Sequence, residues 1–310
     1  MGANCWLLLV LAAIATGGCS VPTRGASRSA VLVCQGRAAA HGITPTPRFS
    51  DPTAMAFLNE EERVPVAQVR AGTPPRSWAR RTEFELVRAT AEVIVPRTVA
   101  IDDAMRGRPA PQLVIVGAGL DGRAWRMREL RDIDVFEVDH PASQLDKRER
   151  IGDLPLMSRT LTYAPADLAH DRLADALGAA GHLPTVATTW VWEGVVPYLS
   201  KSEVTATVTA IAGLSAPGSC LIVNYQTPSF TAGLGRLAVR TATSLARRPS
   251  VWTDEPRRSS WTPAAMRSLL ATIGFPPEAD DDLLTIAGRL RLPVRQRRSL
   301  SNGRVAIAGN

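Results

Sequence analysis

Gly117, Gly119 and Gly122 follow directly on the apolar run Leu113-Val114-Ile115-Val116, and an acid, Asp139, closes the next apolar run, Val135 to Val138. Glycines at this spacing let a backbone turn approach a ligand with no Cβ in the way, and a carboxylate at the tip of the following strand can accept both hydroxyls of a ribose. The chemistry predicted is binding of an adenosine-containing molecule. The spacing alone leaves the ligand open, because G-x-G-x-x-G with an acid 17 residues after Gly122 also satisfies the dinucleotide fingerprint of NAD(P)-dependent oxidoreductases.

The elements needed to hold these residues are a strand, a glycine turn, a helix over Arg123 to Arg131 and a second strand, which is half of a βαβ unit. The alternation continues with a helix from Pro141 to Arg150, a strand at Leu161 to Ala164, Asp167 just beyond it, and a helix over 171–180. A fourth strand, Thr185 to Trp190, runs into Trp192-Glu193-Gly194. Ser200 and Glu203 then form a capping box ahead of another helix, and Cys220 to Tyr225 is the fifth strand. Strand and helix in alternation predict an α/β, doubly wound, mostly parallel sheet with helices on both faces. Leu283 to Ala287 and Arg304 to Ala308 read as an antiparallel pair at its edge, completing seven strands. Upstream, apolar spacing predicts helices at Arg28 to Ala40 and Glu83 to Met105, with the proline- and glycine-rich residues 64–80 as a loop over the site. The chain then divides into an N-terminal helical cap over 26–106 and a ligand-binding domain over 107–310, within which the arginine-rich residues 226–260 are a lid insertion.

The net charge of +7 comes from arginine, since Lys147 and Lys201 are the only lysines, and the arginines are dispersed among acids, so the chain carries no stripe for nucleic acid. Cys5, Cys19, Cys34 and Cys220 have no paired spacing and His41, His140, His170 and His182 are scattered, which gives neither a disulfide framework nor a metal site. The apolar run Trp6 to Ala15 before Thr16-Gly17-Gly18-Cys19 looks like a lipoprotein signal, but its first basic residue, Arg24, comes after it. The run is also shorter than the ~20 residues of a membrane span. Residues 1–25 are therefore set aside as a signal-like or spurious extension, and the expectation is a cytoplasmic protein with no stable membrane span, its oligomeric state open.

Several pieces in order resemble the class I S-adenosylmethionine-dependent methyltransferases, and among them the leucine carboxyl methyltransferase-like branch with its actinobacterial O-methyltransferases. They are Phe49-Ser50-Asp51-Pro52, Val95-Pro96-Arg97-Thr98, Val116 to Arg123, Phe136 to Pro141, Asp167-Leu168, Trp192-Glu193-Gly194 with Tyr198-Leu199, and Asn224-Tyr225. The resemblance implies a Rossmann-like fold and S-adenosyl-L-methionine as co-substrate. It implies that Arg97 pairs with the donor's carboxylate, that Gly117 and Gly119 pass under its methionine and ribose, and that Asp139 takes the ribose hydroxyls. Asp167 and Leu168 would flank the adenine and Glu193 would lie near the donor's amino group. The acceptor implied is a small-molecule carboxylate or hydroxyl, such as a polyketide or other secondary metabolite; for a hydroxyl, Tyr198 and Tyr225, with Glu193, are the candidate bases. Gly122 departs from the Thr or Ser of many relatives and keeps the nicotinamide reading as a rival, beside a non-catalytic relative that retains only the cofactor fold.

Overall fold

A computed structural model describes residues 27–168, 170–228 and 257–310. The signal-like extension with Cys19 and most of the lid insertion lie outside the described residues.

Among the described residues the sheet has seven strands, in the order β3-β2-β1-β4-β5-β7-β6. Strands β1 (Gln112–Val116), β2 (Asp134–Asp139), β3 (Thr160–Pro165), β4 (Thr188–Trp192) and β5 (Cys220–Gln226) are parallel. Strand β7 (Gly303–Gly309) runs antiparallel between β5 and the edge strand β6 (Pro277–Asp282). All five residues of β1 are buried, as a central strand covered on both faces requires. The strand order reverses between β1 and β4, where open α/β sheets leave a crevice for ligands beyond the carboxyl ends of the strands.

Period-two alternation sends Leu113, Ile115, Val135, Val191 and Ile222 to one face and Val114, Val116, Phe136, Val138, Trp190 and Trp192 to the other. The first face is covered by α1 (Arg28–Ala40), α2 (Glu60–Ala71) and α3 (Trp78–Gly107), whose Cys34, Ala38, Val66, Val87, Ile101 and Met105 share one core with the strands. The segment read as a cap is thus also a layer on the sheet. The short helix α4 (Arg123–Arg126), then α5 (Pro141–Ile151) and α6 (Leu173–Ala179), connect the first four strands. The second face is covered by α6, α7 (Lys201–Gly213) and α8 (Pro263–Thr272) through Leu173, Leu177, Val204, Val208, Met266 and Leu270.

Three local expectations are corrected. Of residues 64–80, read as a loop, 64–71 belong to α2 and 78–80 to α3: Asn59 and Glu62 form a capping box at 2.9 Å each way, Gly72 closes the far end of α2 at φ 65°, and Pro65 is held inside it. The helix after the glycine turn stops at Arg126, and a 3-10 turn, Arg128–Leu130, follows. Leu283–Ala287 is not a strand but part of α9 (Leu283–Arg289), ahead of α10 (Arg297–Asn302); Leu283, Ile286 and Ala287 are buried at i, i+3 and i+4, and the Asp282 side chain caps the start. The edge strand is instead the acidic Pro277–Asp282, held by Asp280 to Arg304 and Asp281 to Arg289. Charge on an edge strand discourages pairing with another chain, which is why hydrophobicity did not mark it.

Candidate donor site at the carboxyl edge of the sheet

In the parallel register Val116 stands between Val138 and Trp192, so the next residues, Gly117, Asp139 and Glu193, lie side by side where β1, β2 and β4 end. Asp139 also stands opposite Pro165, which brings Asp167 and Leu168 to the same rim, and the Ala166 N–H donates to the Asp139 carbonyl at 2.9 Å. Chain order alone put these residues near strand ends. The sheet puts them in one row.

The Asp139 carboxylate accepts from the Gly119 N–H at 2.5 Å and from the His140 N–H at 2.6 Å. Burial raises its pKa against the pull of those two donors. Each oxygen keeps a further lone pair, which is what a diol needs. The cap of α5 is His140, whose Nδ1 accepts from the Ala142 N–H at 3.2 Å, so Asp139 is left to the glycine turn. The turn itself stays on the sheet: the Gly117 and Ala118 N–H groups both donate to the Val138 carbonyl, at 2.7 and 3.1 Å.

Gly117 and Gly122 are glycine for different reasons. Gly117 has φ 71°, and a Cβ built there would lie 2.2 Å from Val195 Cγ2. Gly117→Ala is therefore expected to destabilise the protein by about 1–3 kcal/mol and to abolish ligand binding at the turn. Adding Val195→Ala should return only part of the stability, because the left-handed strain remains. A melting series on the three variants checks this; full recovery in the double variant would mean that contact alone matters. At Gly122 the φ is −105°, and a Cβ would meet Thr53 Oγ1 at 2.3 Å and Phe57 Cε2 at 3.0 Å. The third glycine of the pattern thus makes room for the N-terminal segment, and the four-residue α4 that follows is not the long phosphate-facing helix of a dinucleotide fold.

Arg97 reaches the rim from the middle of α3, on which Arg97, Thr98, Ile101 and Met105 are buried at helical spacing. Its Nε lies 2.8 Å from Glu193 Oε1, while Arg123 Nη1 lies 2.9 Å from Glu193 Oε2. Burial by itself would raise the Glu193 carboxyl; the Arg97 and Arg123 guanidinia override it and hold the group well below the usual carboxylate range. Arg123 is fully buried and also meets Asp102 at 2.8 Å and Asp121. Arg126 joins through Asp102 at 2.7 Å, and Arg37 reaches Asp51 at 3.4 Å and the Leu120 carbonyl at 2.9 Å. Four arginines and four carboxylates thus tie α1, α3, the glycine turn and the end of β4 together beneath the rim. Periodicity did not reveal this network. Its one sequence signal is charge inside apolar stretches, such as Asp102 between Ile101 and Met105 on the buried face of α3.

The remaining candidates separate. Asp167 and Leu168 are half-buried on the rim, and the Asp167 N–H donates to Asp171 Oδ2 at 2.8 Å. Tyr198 is half-buried in the 3-10 turn Val196–Tyr198, which the chain crosses again where the Arg258 N–H donates to the Pro197 carbonyl at 2.7 Å. Tyr225 is fully buried; its hydroxyl donates to Asp280 at 2.7 Å and accepts from Arg304 Nε at 3.1 Å, and burial with Asp280 pushes the phenol well up. That hydroxyl is committed to the β5–β7–β6 junction and is a poor proton acceptor.

Comparison with known proteins bears on the family and the fold. The family model described as leucine carboxyl methyltransferase matches residues 30–212. A candidate S-adenosyl-L-methionine-dependent methyltransferase of Frankia alni is 32% identical over 227 residues, covering 67% of this chain and 74% of the relative. One from Mycobacterium tuberculosis is 31% identical over 233 residues, covering 71% and 73%. Among solved structures, a candidate methyltransferase from Thermobifida fusca superposes with a TM-score of 0.52 at 16% identity, over 86% of this chain and 95% of that one, a likeness of fold.

Proposed function

Because the chain belongs to the leucine carboxyl methyltransferase family, we propose that it transfers a methyl group from S-adenosylmethionine to an oxygen of a small molecule, and that the oxygen is a carboxylate. It is an S-adenosylmethionine-dependent methyltransferase; the acceptor atom is the part proposed. The observation that carries the reading is the row of groups at the carboxyl edge: the Arg97–Glu193 pair, the Gly117 turn and the Asp139 carboxylate.

The groups fit the donor by their chemistry. Arg97 spends Nε on Glu193 and keeps the outer side of its guanidinium for the donor's carboxylate, a geometry suited to a two-pronged contact. Glu193, ionised at all ordinary pH, faces the ammonium. Asp139 accepts the two ribose hydroxyls. Asp167 accepts from the exocyclic amine, and Leu168 covers the adenine ring. When bound, S-adenosylmethionine supplies a sulfonium methyl that an oxygen nucleophile takes in line as the carbon–sulfur bond breaks to a neutral thioether. The protein's part is to align the two reactants and exclude water.

A carboxylate acceptor is already anionic and needs no base, whereas a hydroxyl needs one. Glu193, held between two guanidinia, and Tyr225, bound to Asp280, are both weak proton acceptors, which supports the carboxylate. The test is incubation of the full chain with methyl-labelled donor and a panel of carboxylic acids and phenols. Methyl esters release labelled methanol in mild alkali, and ethers do not. Alkali-labile, volatile label is the expected result; alkali-stable label on a phenol would overturn the carboxylate reading and turn attention to Tyr198.

A further inference from the structure

We propose that Arg123 is a positioning residue for donor binding: by holding Glu193 to a one-oxygen contact with Arg97, it keeps the outer side of Arg97 open for the donor's carboxylate. The inference rests on the donor placement proposed above and goes beyond it to a residue that has no place among the donor-contacting groups.

A carboxylate beside a lone guanidinium tends to take it with both oxygens, through two parallel N–H···O bonds. Glu193 does not: Oε1 is on Arg97 Nε at 2.8 Å, and Oε2 is drawn away to Arg123 Nη1 at 2.9 Å. Arg123 cannot follow Glu193 toward Arg97, because its Nε is fixed to Asp102 at 2.8 Å and its Nη1 also meets Asp121. Those anchors lie on α3, five residues beyond Arg97, and on the glycine turn itself, so one fully buried guanidinium sets the relative position of three donor-binding elements. Without it, Glu193 would swing onto Arg97 and close the fork that the donor needs.

The test uses two ligands on the full chain, S-adenosylhomocysteine, which carries the amino-acid end, and 5′-methylthioadenosine, which lacks it. Arg123→Met is expected to weaken the first by about 30-fold, the scale of one charged hydrogen bond, and the second by less than about threefold. Arg123→Lys, which keeps the charge without the fork, should weaken the first by about tenfold and decides the matter if the methionine variant does not fold. Because Arg123 acts through Arg97, the double variant with Arg97→Met should bind S-adenosylhomocysteine no worse than Arg97→Met alone. Equal weakening of both ligands, additive losses in the double variant, or unchanged affinity for S-adenosylhomocysteine would overturn the proposal. If Arg97→Met itself fails to separate the two ligands, the donor placement is what falls; if it separates them and the Arg123 variants do not, only this inference falls.

Discussion

Asp139→Ala is expected to weaken S-adenosylmethionine binding by about 100-fold or more, since two charge-assisted hydrogen bonds to ribose, at about 1.5–3 kcal/mol each, disappear together. The same change frees the Gly119 and His140 N–H groups, which now rest on the two carboxylate oxygens at 2.5 and 2.6 Å, so the turn also loosens. Asp139→Asn retains one acceptor oxygen and should fall between the two. Calorimetric titration measures all three proteins, and undiminished affinity in the alanine variant would remove Asp139 from the site. Binding by the wild type should also depend on pH with a defined sign. Burial raises the Asp139 pKa, and only the ionised form accepts both hydroxyls, so affinity is full above that pKa and declines as pH falls through it.

The largest expected effect on stability lies directly behind that residue. Glu137, two positions before Asp139 on β2, is fully buried and accepts from Lys147 Nζ at 2.6 Å; the ammonium sits 5.0 Å from the Trp125 ring centroid, and Gln144 donates to the Glu137 carbonyl at 2.8 Å. This pair docks α5 against β2. Lys147→Met would leave a buried carboxylate without its counter-charge, a change that costs about 3–5 kcal/mol, or on the order of 10 °C in melting temperature. Glu137→Leu with Lys147→Met removes both charges and should recover most of the loss. The single variant also carries a pH signature. Burial pushes the Glu137 carboxyl up, and loss of Lys147 pushes it further, so the folded state holds a proton that the unfolded chain releases above about pH 4.3. Stability of Lys147→Met should therefore be greatest in acid and fall as pH rises through the raised folded pKa. A melting curve for this variant that is flat from pH 4 to 8, with no loss against wild type, would show that the pair is dispensable.

What could be read from the residues was whatever their near neighbours settle. The strand Leu113 to Val116, the turn at Gly117 and Gly119, the acid Asp139 at the next strand tip and the capping box at Ser200 and Glu203 are all local patterns, and each stands where its spacing predicts. The alternation of elements also carried the parallel sheet, whereas of the antiparallel pair at its edge only the strand over Arg304 to Ala308 was placed. Local pattern misled where a short apolar run served either period: Leu283 to Ala287 is a helix, and its acidic neighbour Pro277–Asp282 is the strand, because pairing with β7 and ion pairs to Arg304 and Arg289 outweigh intrinsic preference at an edge. The partners of the buried charges were beyond reach altogether. Arg97 and Glu193 lie 96 residues apart and Arg123 and Asp102 lie 21 apart, and nothing in either stretch says which charge the other will meet. A buried charge is tolerated only beside its counter-charge, and that neighbour is chosen by how helices stack on the sheet, not by the chain around it. The sequence by itself thus determined the strand, the glycine turn and the acid at the next strand tip; only the tertiary structure decided that Arg97, Glu193 and Arg123 act on one another, and that Tyr225 is committed to Asp280.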